Sequence, residues 1–321
     1  MRKIVVPILL AALLGFAQGA IAQAFPSKPI RLIVPFPAGL GALELLSRGI
    51  SQRVSESIGQ PVLVENRVGA SGAIGAEAVV RSAPDGYTML MGTTTTHGIN
   101  PALNPRLSYN ALTDFTPISL VGTEPLVLIV NSSVPANTLQ EFIRLAKSKP
   151  GMSFGSAGNG TPHHLAGETL KLMAGIDVLH VPYKGAIPAL TDLVGGRLQF
   201  MMYSLAAAQP HVKAGKVRQL AIATAQRVPG VDLPTFAESG YPGFEFISWY
   251  AIFGPAGMPE AVVSRLNAEI VKALRTEELR ERLRQQSITV VGSSPAELAA
   301  YLRTDLARWR DVVKTTGVKA E

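Results

Sequence analysis

An α/β fold of parallel strands covered by helices is predicted on three grounds. Short apolar runs rich in Ile, Val and Leu alternate with stretches of helical periodicity, Gly- and Pro-rich loops follow the apolar runs, and this order recurs along the chain. Ile30 to Val34 reads as a buried strand stopped by Pro35. The loop Pro35 to Gly41 leads into a helix over Leu43 to Ile58, with Leu45, Leu46, Ile50 and Val54 near one face. Val62 to Val64 is a second strand, the loop Gly69 to Gly75 opens a helix through Ser82, and Pro84-Asp85-Gly86 turns the chain into a strand over Thr88 to Met91.

The same grammar restarts at the strand Leu126 to Val130. It continues with helix Leu139 to Lys147, a strand around Ser153 to Gly155, helix His163 to Ala174, strand Val178 to Val181, helix Ile187 to Val194, and strands Leu198 to Met202 and Leu220 to Thr224. One long amphipathic helix is expected over Glu260 to Arg284, and a last helix over Pro295 to Lys314. With 321 residues and no linker-like composition break, two similar lobes joined by crossing strands are the simplest packing; a single doubly wound sheet is the competing layout.

Composition excludes several classes. Hydrophobic residues make up 47% and charged residues 17%, ample for a core. There is no cysteine, hence no disulfide, thiolate metal site or cysteine nucleophile. The net charge of +7 falls to +5 without Arg2 and Lys3, and the bases are scattered, unlike the clustered stripe that nucleic acid requires. The N-terminus reads as a secretory signal peptide: Arg2-Lys3, an apolar run from Ile4 to Phe16, and small residues at Ala20 and Ala22. That run is shorter than the roughly 20 residues needed to span a bilayer. Cleavage after Ala22 and a periplasmic mature chain are expected.

Three loops stand after strands and before helices, where free N–H groups and the positive helix end favour an anion: Pro35 to Gly41, Gly69 to Gly75, and Ser156 to Thr161. Enzyme signatures are weaker. Gly155 to Gly160 lacks dinucleotide-fingerprint spacing, and there is no P-loop and no nucleophile elbow. The adjacent His163 and His164 point to different helix faces, which is poor geometry for a metal. Ser156 near these histidines leaves a secreted α/β hydrolase as the alternative reading.

The motifs, taken in order, resemble one family over essentially the whole mature chain. Phe25-Pro-Ser-Lys-Pro-Ile-Arg-Leu-Ile-Val-Pro-Phe-Pro-Ala-Gly39, Val64-Glu-Asn-Arg-Val-Gly-Ala-Ser-Gly-Ala-Ile-Gly75, Ala83-Pro-Asp-Gly-Tyr-Thr88, Asp114-Phe-Thr-Pro-Ile118, His180-Val-Pro-Tyr-Lys-Gly185, Pro234-Thr-Phe-Ala-Glu238 and Gly254-Pro-Ala-Gly257 are similar to segments of the Bug-type solute receptors of tripartite tricarboxylate transporters. The resemblance implies a two-lobed, type II-like periplasmic binding protein, each lobe a mainly parallel sheet flanked by helices, with two crossover segments. Lobe 1 would comprise 23–123 plus 243–321, and lobe 2 would comprise 124–242. It further implies a monomer that closes on a small organic carboxylate and passes it to membrane permease subunits, with no catalysis, cofactor or metal.

Carried over residue by residue, the resemblance implies ligand contacts from Pro37, Ala38, Gly39 and the stretch Thr93 to Thr96, notably Thr93 and Thr94, in lobe 1. In lobe 2 it implies contacts from Ser156, Gly158, Thr161, His164, Tyr183 and Lys184, the last equally readable as a solvated surface lysine. The chain departs from the family pattern at two places. Leu40 replaces a second glycine and Leu43 an aspartate, with Glu44 one step out of register; in lobe 2, Tyr203 follows Met202 where the family often has an acid. A one-residue shift turns a helical side chain by about 100°, so Glu44 is not expected to substitute. These replacements predict a carboxylate whose far end is apolar or aromatic, rather than an amino acid or a citrate-like polyacid, unless Leu40, Leu43 and Tyr203 merely pack the cleft. Mass spectrometry of the exported protein is expected to find Gln23 as its first residue.

Overall fold

A computed structural model describes residues 25–39 and 41–319; the expected signal peptide and Leu40 lie outside the described residues. The first sheet is built on strand β1 (Ile30–Val34), which pairs in parallel with β2 (Val62–Asn66) and β3 (Thr88–Thr93). Its alternation is the period of two that a sheet covered on both faces demands. Ile30, Leu32 and Val34 face α1 (Ala42–Ile58), and Ile33 faces α2 (Ala73–Val80). A short 3₁₀ turn, Ala70–Gly72, starts the second helix inside the expected loop. After β3 the chain enters a π-helical segment, Thr94–Ile99, and the single turn α3 (Asn100–Leu103).

Strand β4 (Phe115–Asn131) is 17 residues long and leads from one sheet to the other. The second sheet and its cover follow as α4 (Leu139–Ser148), β5 (Met152–Ser156), α5 (Pro162–Ala174), β6 (Val178–Pro182), α6 (Ala186–Val194), β7 (Phe200–Ser204), α7 (Leu205–Lys213) and β8 (Val217–Ile222). Strand β9 (Ile247–Pro255) returns to the first sheet, and α8 (Glu260–Leu274), α9 (Glu277–Gln285), β10 (Thr289–Val290) and α10 (Pro295–Thr316) complete it. The main path of strand pairing is β2-β1-β3-β9-β4-β7-β5-β6, with β8 and β10 also on β4. The two-lobed α/β class is therefore present, and the ladder runs unbroken from lobe to lobe through β4. Helix-connected strands are parallel, but every pairing made by β4 or β9 is antiparallel, so both sheets are mixed rather than mainly parallel.

Several elements differ from the sequence expectation. The first half of β4 contains Pro117 and Pro125, which argue against a central strand; two register shifts, at Pro117/Ser119 and Leu120/Gly122, accommodate the irregularity. Neither β9 nor α7 was expected. The helix expected over Glu260 to Arg284 is two helices, broken at Arg275 and Thr276. Leu279 and Leu283 are buried in the same core as Leu46 and Ile50 of α1, five positions on from Leu274. A straight 3.6-residue repeat misses that spacing. Gly49 of α1 admits Leu279 so closely that a Cβ there would lie 2.5 Å from its Cδ1.

Helix α10 spans both lobes: Leu298 and Leu302 pack with Trp249 and Phe253 of the first sheet, while Trp309 joins the core containing Leu126 and Phe246. Buried Asp305 fixes it there. Its Oδ2 accepts from Trp249 Nε1 at 2.7 Å and from Trp309 Nε1 at 2.9 Å, and its Oδ1 accepts from Arg308 at 3.1 Å. Asp305→Ala orphans two buried indole N–H groups, so equilibrium denaturation is expected to show a loss of about 2–4 kcal/mol. Asp305→Asn, which keeps one acceptor oxygen, is expected to lose less.

Candidate functional site

A cavity of about 310 Å³ opens where the loops after β1, β3, β5, β6 and β7 meet across β4 and β9. This is the ligand edge of parallel α/β sheets, the carboxyl ends of the strands. One wall carries Phe36 to Gly39, Gly41 to Glu44, Thr93 to Thr95 and Ser248 to Tyr250. The other carries Ala157, Thr161 to His163, Lys184 to Pro188, Tyr203, Ser204 and Ala207, and Glu124 and Leu126 lie on β4 between them. Beyond this cavity the walls also touch, where Ser71 Oγ donates to Asn159 O at 3.4 Å.

Three helices begin at the cavity with no side-chain cap on their N-termini: α1 after Gly41, α5 after Thr161 and α6 after Gly185. Each leaves backbone N–H groups without an intrahelical partner, and each end carries roughly half a positive charge. Gly41 at φ 128° and Gly185 at φ 114° occupy left-handed backbone open to glycine, which brings the main chain up to the cavity. By contrast, α7 is capped by Ser204 and the π-helical segment by Thr93 with Thr96. Three uncapped ends around one cavity suit an anion.

Glu124 is the counterweight. It is buried, and its carboxylate accepts from Ser204 Oγ and, at 3.0 Å, from the Tyr250 hydroxyl. No cation acts on it among the described residues, and burial pushes its carboxyl above the ordinary range. Tyr203 is pushed up to about 12, by burial first and by Glu124 second. Among the described residues no cluster of His, Asp or Glu could hold a metal, and no helix is long and apolar enough to cross a membrane.

A model of the family described as "Tripartite tricarboxylate transporter family receptor" matches residues 46–318. The chain belongs to this family. Protein BugT of Bordetella pertussis is 35% identical over 323 residues, covering 99% of this chain and 98% of that protein. An R. palustris protein solved with adipate superposes with a TM-score of 0.86 at 36% identity, over 92% of this chain and 99% of the other. MatC from Rhodopseudomonas palustris, solved with bound malate, gives 0.83 at 35% identity over 90% and 100%.

In this receptor the residues singled out from sequence fall into two groups. Pro37, Ala38, Gly39, Leu43, Thr93, Thr94, Thr161, Lys184 and Tyr203 line the cavity; Leu40 lies outside the described residues. Ser156, Gly158, His164 and Tyr183 stand behind the wall and hold the loop between β5 and α5. Ser156 Oγ lies 2.7 Å from His180 Nε2, accepts from Gly158 N and donates to Gly158 O. His164 Nδ1 accepts from Gly160 N at 3.2 Å, its ring stacks on His180 at 3.8 Å, and the Tyr183 hydroxyl donates to Asp192. Ser156 is therefore fully buried and paired with a half-buried His180 held at about pKa 3, which is no nucleophile–base arrangement facing a substrate. The loop Gly69 to Gly75 does not line the cavity either: Gly72 and Gly75 press against Pro35, bracing the loop after β1.

Sequence reasoning did not reach Glu124, Ser204, Ser248 or Tyr250. Glu44, which it set aside, does line the cavity, paired with Arg48. The available signal for Glu124 was a lone acid within the otherwise uncharged run Phe115 to Asn131.

Burial holds four imidazoles neutral, His97 and His180 at about 3 and His163 and His164 at about 4. An unfolded imidazole takes its proton near pH 6.5. Below that value, and down to the folded pKa, the unfolded chain binds more protons, so acid removes stability. Glu124 and Glu168, raised by burial, act in the opposite sense but are fewer. The thermal midpoint is expected to fall between pH 7 and pH 5, followed by scanning fluorimetry; a constant midpoint there would contradict this account.

Proposed function

We propose that this protein is an extracytoplasmic receptor that closes two lobes on a small organic carboxylate and delivers it to the membrane permease subunits of a tripartite transporter. The observation that carries the reading is the convergence of three uncapped helix N-termini on one cavity between loops of both sheets. A carboxylate there accepts charge-assisted hydrogen bonds from donors on both walls, so binding favours the closed state. Lys184 supplies a full positive charge on the second wall. The lobes proposed are 23–123 with 243–321, and 124–242. In support, β4 exchanges β9 for β7 and β8 after Pro125, and the chain returns to the first sheet at Ile247. The receptor acts as a monomer, exported with its leader removed after Ala22. Thr93, Thr94, Thr161 and the backbone of Pro37 to Gly39 touch the ligand, while Ser156, Gly158, His164 and Tyr183 shape the loop that does.

The relatives solved with adipate and malate set the size of the ligands to screen. Thermal unfolding of the mature protein against aliphatic and aromatic carboxylates is expected to show a midpoint rise with at least one of them, growing with ligand concentration. A panel that leaves the midpoint unmoved, beside turnover of an ester or amide, would replace this reading with the hydrolase.

A further inference from the structure

Glu124 sits where a carboxylate-binding cavity has least use for an acid. It faces the same cavity as the three helix ends, on the strand that joins the sheets. Its side chain is held from both directions: Ser204 comes from the end of β7, and Tyr250 from β9. Ser248, its register partner on β9, lines the cavity beside it. Two neutral hydroxyls satisfy one lone pair on each oxygen and leave the rest of the acceptor capacity unused. Among the described residues nothing cationic offsets it. A fixed acceptor of this kind favours a ligand group that donates a hydrogen and opposes one that is itself anionic.

We propose that Glu124 is a specificity-determining residue, selecting monocarboxylates whose far end carries a hydroxyl or ammonium donor and turning away a second ionised carboxylate. This rests on the receptor reading above and divides the cavity. The helix ends and Lys184 take the ligand carboxylate, Leu43, Leu126 and Ile187 cover an apolar body, and Glu124 with Tyr203 meets the far end. It amends the expectation of an apolar or aromatic far end, which counted positions 40, 43 and 203. The preference arises at position 124 instead.

The test is calorimetric titration at pH 7.5 with matched sets on one skeleton. The aliphatic sets have four to eight carbons and comprise the plain monocarboxylate, its ω-hydroxy and ω-amino forms, and the dicarboxylate; the aromatic set is benzoate, 4-hydroxybenzoate, 4-(aminomethyl)benzoate and terephthalate. In the native receptor the best-fitting skeleton is expected to bind with its donor group about tenfold or more tighter than as the dicarboxylate. Glu124→Gln keeps hydrogen-bonding partners for Ser204 and Tyr250; it is expected to shift the ratio of dicarboxylate to donor-bearing ligand affinity about tenfold toward the dicarboxylate. Hydroxyl and ammonium sources separate by which of the two forms the native receptor binds tighter. A native preference for the dicarboxylate overturns the proposal whatever the variant does, and so does a Glu124→Gln receptor with that ratio unchanged. Absence of binding by every member overturns the carboxylate-receptor reading itself, a distinct result.

Discussion

Strand β4 imposes the constraint on which the rest of the structure depends. Its first half is hydrogen-bonded to β9 and β10, and its second half to β7 and β8. A buried backbone cannot leave its polar groups unpaired, so the strand changes partners with little interruption. At the change, Leu126 N donates to Phe246 O and Ala223 N to Leu126 O, which closes the seam. The cavity lies over this seam, and its floor is therefore sheet whose backbone is paired on both sides. Much of the rest of the cavity lining is, by contrast, loops and helix starts held at their roots.

The chemistry divides along the same line. Loops supply backbone N–H groups and the dipoles of three helices, which favour an anion without specifying the remainder of the molecule. The strands supply side chains at fixed heights: Glu124 and Leu126 from β4, Ser248 and Tyr250 from β9. On the proposed reading, attraction for the carboxylate and discrimination of the far end are carried by different structural elements.

The first three strands and three of the four helices that cover the second sheet were legible because their elements are local. Ile30 to Val34, Val62 onward, and the helices beginning at Ala42, Leu139 and Pro295 have periodicity and stop signals within their own windows. What was not legible is set by distant partners. β9 has no helix before it to complete a strand–helix unit, and Pro117 and Pro125 disguise the first half of β4. At the site, two of the three loops singled out, Pro35 to Gly41 and Ser156 to Thr161, reach the cavity, and Gly69 to Gly75 does not. However, Ser156 and His164 look identical in sequence whether they face the cavity or brace it from behind. Glu124, whose importance comes from Ser204 and Tyr250 some 80 and 126 positions away, carries no local mark beyond its charge.

The place of β9 in the sheet order also governs how the chain acquires its shape. Until β9 is made, β3 is the edge of a three-stranded sheet, six consecutive buried residues with no neighbour on one side. Exposed apolar edges of this kind promote aggregation. The second lobe is nearly continuous in sequence and has its own strands at hand; the first must wait for residues beyond Ile247 and for α10. Sequence-distant pairing of this sort is slow to form. The lobe encoded first is therefore the lobe completed last, and a nascent chain spends most of its synthesis unable to trap itself in the native state.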